Sequence, residues 1–146
     1  MSAAQVDAWL AAGEPVPIAD VLALFDTLPA VAEQDMLGSW SGAVIPTGHR
    51  GERALDRLAW AGKDFHDAER VDPIVCVTAD GARAPSDVMG AARLRMVGYR
   101  GVVTATMLYD DHPVLDHFRA LGDGAVLGLM DRKGEDAPLA FVLRRA

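Results

Sequence analysis

The chain has 146 residues, 51% hydrophobic and 24% charged, with a net charge of −7. One domain of this length buries about two-thirds of its extended surface. The acidic balance argues against nucleic acid or an anionic membrane as the main partner, and a basic start followed by an apolar run is absent, so a cytoplasmic protein is expected. The single cysteine, Cys76, excludes an intramolecular disulfide and a cysteine-based zinc cage; set within Ile74-Val75-Cys76-Val77, it reads as a buried, inert thiol.

Two short helices are expected first. Val6, Trp9 and Leu10 form an apolar stripe that Gly13 closes, and Ile18, Val21, Leu22, Phe25 and Leu28 repeat at helical spacing before Pro29. Residues 37–44 read as the first strand. There Gly38 and Gly42 flank Trp40 at alternate positions and leave bare backbone on either side of the indole. That pattern suits a bend where a barrel closes around a plugging tryptophan, or simply a core tryptophan. Pro46-Thr47-Gly48-His49 is a turn into a third helix, with Ala54, Leu55, Leu58 and Ala59 on its inner face and Gly62 as its stop. Residues 63–73 are polar apart from Phe65, residues 74–78 form a short strand, and residues 82–92 read as a loop with one helical turn over 87–92.

From Leu94 the chain reads as an antiparallel meander, with strands over 94–99, 102–109, 114–121, 125–131 and 138–144 separated by short turn signals. Within the third of these, Asp116 falls at period two between Val114 and Phe118. On an inner face, desolvation would raise its pKa and make it a proton donor or a tuned base. A register slip of one residue would instead place it in water, with Leu115, His117 and Arg119 inside.

No glycine-rich nucleotide cradle and no nucleophile elbow is present. His112 and His117 would face opposite sides of a hairpin, so no metal is expected beside Asp110, Asp111 and Asp116. The acid–base groups that remain are His49, Lys63, Tyr109, Asp116 and Asp131. His49 sits at a helix start, where the dipole disfavours the imidazolium, and reads either as a proton acceptor or as a surface or capping residue. Asp131 closes an apolar strand and reads either as an acid–base group or as a partner of Arg132 or Lys133.

Five blocks in order carry a resemblance: Gly38-Ser39-Trp40-Ser41-Gly42 with Pro46-Thr47-Gly48-His49, Tyr99-Arg100-Gly101, Met107-Leu108-Tyr109-Asp110-Asp111, Asp116-His117-Phe118-Arg119, and Leu129-Met130-Asp131-Arg132-Lys133-Gly134. They resemble the GXWXG family (here about 35–65) followed by a DUF4334-like meander (about 90–146), within one domain spanning 1–146. The resemblance implies a relation to α-pinene oxide lyase, a cofactor-independent enzyme that opens an epoxide by acid–base chemistry. It points to Asp116 and His49 as the catalytic pair. The segment 78–92 is shorter than the family pattern. The tryptophan motif is also similar to lipocalin-like and nitrobindin-like barrels, which bind hydrophobic ligands or haem, but that likeness ends at the tryptophan block.

The expected fold is therefore α+β: a curved antiparallel sheet or small, partly open, calycin-like barrel with the N-terminal helices packed on it. The expected pocket is apolar, lined from Trp40, Lys63, Phe65, Val103, Met107, Tyr109, Phe118, Leu129 and Met130. The expected function is a cofactor-independent lyase or isomerase acting on a small terpenoid-like molecule. A non-catalytic carrier of the same kind of ligand is the alternative, with haem binding a third. No metal or cofactor is expected, and a homodimer stays open.

Overall fold

A computed structural model describes residues 2–146. Among these, α1 (Ser2–Ala12) and α2 (Ile18–Thr27) precede a single 3₁₀ turn (Glu33–Met36) and strand β1 (Gly38–Val44). A short helix α3 (Glu52–Arg57) leads into β2 (Trp60–Asp67), β3 (Arg70–Val77) and β4 (Arg83–Pro85). The meander follows as β5 (Ala92–Tyr99), β6 (Val102–Tyr109), β7 (Val114–Gly122), β8 (Ala125–Arg132) and β9 (Leu139–Arg145).

The sheet runs β2-β1-β9-β8-β7-β6-β5-β3-β4, and β2 also pairs with β3. That extra pairing closes eight antiparallel strands into a barrel, with β4 left as a ninth strand on the rim of β3. The closed barrel sharpens the expectation of a partly open one. Closure removes the free edges that a curved sheet of this length would expose. The seam is thinnest between β3 and β5, where Val71 pairs with Ala92 alone.

Two apolar layers follow from the period-two alternation of the strands. The inner one fills the barrel with residues such as Trp40, Phe65, Met107, Phe118 and Phe141. The outer one joins Val21, Leu24 and Phe25 of α2 to Leu127, Leu129 and Val142 on the barrel wall. Leu129 thus faces the helices, and Val103 is 59% exposed, so neither lines the interior as the sequence suggested. Cys76 is only half-buried, and partial desolvation pushes its thiol pKa up.

Three elements differ from expectation. Helix α3 ends at Arg57, and Ala59 takes a left-handed φ of 53°. Gly62, expected as the helix stop, lies inside β2. The polar stretch 63–73 forms most of the β2–β3 hairpin, turning at Ala68-Glu69 where Asp67 Oδ1 accepts the Glu69 N–H at 2.8 Å. Segment 82–92 contains β4 and a turn closed by the Gly90 N–H on the Asp87 carbonyl, with no helical turn.

Candidate active site

Strand β7 places Val114, Asp116 and Phe118 toward the barrel interior, all of them buried. His117 and Arg119 on its other face are buried too, each by different neighbours. Arg119 donates to the carbonyls of Phe25 and Leu28, and its guanidinium lies 4.5 Å from the Phe25 ring centre. His117 stacks on Tyr99 at 3.7 Å and bonds Thr106 Oγ1 and Asp131 Oδ2. Desolvation lowers the His117 pKa, and Asp131 opposes that shift. Asp131 therefore partners His117, rather than Arg132 or Lys133.

Opposite Asp116 stands Lys63, carried inward by β2. Its Nζ lies 3.0 Å from Asp116 Oδ2, and both side chains are almost fully buried, at 3% and 1% exposure. The ammonium donates to the Pro73 carbonyl at 3.1 Å. It stands off the hydrogen-bonding direction of the carboxylate, whose two oxygens take no well-aligned donor. The pair is held by charge and proximity, with acceptor capacity to spare. Three rings surround the ammonium, those of Phe141, Trp60 and Tyr109, with centres 5.2, 5.5 and 5.9 Å away. Burial raises the Asp116 pKa, and the neighbouring Lys63 charge opposes that shift. Burial, reinforced by the Asp116 charge, also holds the Tyr109 phenol well above its ordinary value.

The pair forms part of the wall of a cavity of about 200 Å³ at one end of the barrel. Trp60, Ile74, Tyr109, Met130, Leu139 and Phe141 line it from the strands, Gly51, Ala54, Leu55 and Leu58 from the α3 segment, and Val88 and Met89 from the loop after β4. Arg132 adds a second cation to this lining. The aromatic walls need glycine opposite them. A Cβ on Gly42 would stand 2.3 Å from the Trp60 ring, and one on Gly128 would stand 2.3 Å from the Phe141 ring. Gly42 of the tryptophan motif thus makes room for Trp60 as well as bordering Trp40.

Of the residues singled out from sequence, the structure brings Asp116, Lys63, Tyr109 and Met130 to this cavity. Phe65, Met107 and Phe118 lie in the packed interior, where Phe118 stacks edge-on against both Phe65 and Phe141. Trp40 is a core residue. Its Nε1 donates to the Met36 carbonyl at 2.8 Å, and the Arg145 guanidinium covers its ring. His49 is not brought to Asp116. Its Nδ1 accepts the Gly51 N–H at 2.9 Å, and its Nε2 meets Glu135 Oε1 at 3.1 Å. Both ring nitrogens are thereby used, and Gly51, not His49, lines the cavity. Trp60, Phe141 and Arg132 were missed. The glycines at 42 and 128 were the only sequence signal for the first two.

Among the described residues, no group of three or more His, Cys, Asp or Glu side chains is placed to hold a metal ion, and no helix is long and apolar enough to cross a membrane.

Residues 23–81 match the family described as GXWXG protein, and residues 90–145 match the domain of unknown function DUF4334. A crystal structure of a protein from Thermomonospora curvata is 38% identical, covers 97% of this chain and 96% of its own, and superposes with a TM-score of 0.90. No curated protein matches the chain.

Proposed function

We propose, for a chain that belongs to the GXWXG family and carries its DUF4334 domain, the acid–base opening of an epoxide in a small, largely hydrocarbon molecule, without a cofactor. One observation carries this reading. A carboxylate and an ammonium stand 3.0 Å apart, nearly free of solvent, on the wall of an otherwise apolar cavity. Lys63 delivers a proton to the epoxide oxygen as the C–O bond breaks. Asp116 removes a proton from the carbon next to the developing cation, and the pair then exchanges that proton to reset itself. The reaction is an isomerisation, so atoms balance with no co-reactant. Apolar walls strengthen the electrostatics and keep water from trapping the cation. A positioned acid or base contributes about 10²–10⁴-fold. The role expected for His49 passes to Lys63, because Lys63 is the proton donor that lines the cavity beside Asp116.

The size is consistent with the proposal: a cavity of about 150 Å³ holds benzene, so one of about 200 Å³ takes a compact molecule of one or two rings. A carrier of the same ligand is the second reading. It is favoured by the mutual neutralisation of Asp116 and Lys63, which lets the cavity hold a neutral guest without any proton moving. Gas chromatography of small cyclic epoxides, α-pinene oxide among them, incubated with purified protein and no cofactor separates the two. Rearranged isomers are expected from the enzyme. Epoxides that bind and are recovered intact would leave the carrier.

A further inference from the structure

We propose that Lys63 captures small apolar aldehydes or ketones as an imine inside the cavity, a covalent chemistry distinct from epoxide opening. The inference uses the same two residues but does not depend on epoxide turnover.

Three observations support it. Lys63 is one of two lysines in the chain, and the other, Lys133, is exposed on the β8–β9 turn. Its nitrogen borders an apolar cavity large enough for a ring-bearing carbonyl compound. A lysine amine becomes a nucleophile when it is desolvated and a neighbouring group can hold its proton. Asp116 Oδ2, at 3.0 Å and without a well-aligned donor, is that group. The Pro73 carbonyl and the three surrounding rings fix where the nitrogen sits.

The step balances without an oxidant or reductant. The Asp116 carboxylate takes one proton from the Lys63 ammonium. The freed lone pair attacks the carbonyl carbon, and a proton moves from nitrogen to the former carbonyl oxygen to give a carbinolamine. Asp116 returns its proton to that hydroxyl, which leaves as water, and a C=N bond forms. Ammonium plus carbonyl thus yields iminium plus one water, with Asp116 ionised again beside the new cation. The dry, apolar walls slow the return of water to the iminium carbon.

The test treats native protein with benzaldehyde and sodium cyanoborohydride and maps benzylated peptides by mass spectrometry. Lys63 is expected to be labelled faster than Lys133. Toluene, which has the same ring but no carbonyl, is expected to suppress labelling at Lys63 and leave Lys133 unaffected. In Asp116→Asn the Lys63 rate is expected to fall roughly 10²–10⁴-fold, the range of a positioned proton acceptor, with Lys133 unchanged. Lys63 labelled no faster than Lys133, or labelled at a rate indifferent to toluene, would overturn the proposal. Both comparisons are made within one native molecule, so they hold even if a variant fails to fold. Labelling at Lys63 in a protein that turns over no epoxide would keep the imine and discard the epoxide reading.

Discussion

Glu135 and Asp116 each face a nitrogen group at about 3 Å, and they differ in what else surrounds them. Glu135 meets His49 at 3.1 Å and also holds the exposed Arg50 at 3.3 Å, beside α3 and outside the barrel interior. The His49 ring is spent on Glu135 and on the Gly51 amide. Asp116 meets Lys63 at 3.0 Å inside the barrel, with oxygens that lack well-aligned donors and an apolar cavity beside them. A near-buried pair is common structural furniture. Spare hydrogen-bonding capacity facing an apolar cavity is what equips one for chemistry.

The contrast is open to attack by truncation. Removing one partner of a buried ion pair strands the other charge, so Lys63→Met is expected to cost about 3–5 kcal/mol. The double variant Lys63→Met with Asp116→Leu is expected to recover most of that loss, since apolar groups of similar volume replace both charges. The matching change outside the barrel, His49→Ala, is expected to cost only about 0.5–1.5 kcal/mol, because Glu135 keeps Arg50. Urea unfolding of all three variants measures the difference.

The cavity wall gives a smaller effect. A Cβ on Gly42 would overlap the Trp60 ring, so Gly42→Ala is expected to lose roughly 1–3 kcal/mol through overpacking. The displaced indole is also expected to weaken binding of toluene, read by titration calorimetry. An unchanged stability and affinity would show that Trp60 is not held against Gly42.

The smallest expected effect is a displacement along the pH axis. Asp116 must be ionised to accept a proton, and burial raises its pKa above the ordinary 3.8. Turnover is therefore expected to fall as pH drops through a value higher than that of an exposed carboxylate. The linkage sign is the reverse for stability. A raised carboxyl pKa favours the fold below the unfolded value, and that contribution is lost as pH rises through the folded one. Asp116 thus weakens the fold at neutral pH, as an acid–base group held in a dry site does. A pH–rate profile whose acid limb sits at the ordinary carboxylate position would contradict the burial argument.

Much of this was legible in the sequence. The meander could be read because its strands alternate and its turns carry glycine at short intervals. Asp116 stood out because Val114 and Phe118 flank it at period two. Its direction could not be read, because the opposite face, with His117 and Arg119, is also buried, and the partners that explain this, Tyr99 and Asp131 for His117 and the Phe25 carbonyl for Arg119, lie elsewhere in the chain. Strand β2 was obscured by the charge that matters most. Lys63 points inward beside Phe65, which breaks the apolar alternation, and its partner lies on β7, more than fifty residues along the chain. His49 looked attractive for local reasons, as a histidine at a helix start. The Glu135 contact that occupies it comes from the β8–β9 turn.

The most direct measurement runs epoxide turnover by the parent, Asp116→Asn and His49→Ala side by side, with thermal unfolding of each as a control for folding. Asp116→Asn is expected to remain folded and lose about 10²–10⁴-fold in rate, the contribution of a positioned base, while His49→Ala keeps the parent rate. A folded Asp116→Asn that turns over substrate at the parent rate, or a His49→Ala that is as inactive as Asp116→Asn is expected to be, would contradict the assignment of the chemistry to the interior pair.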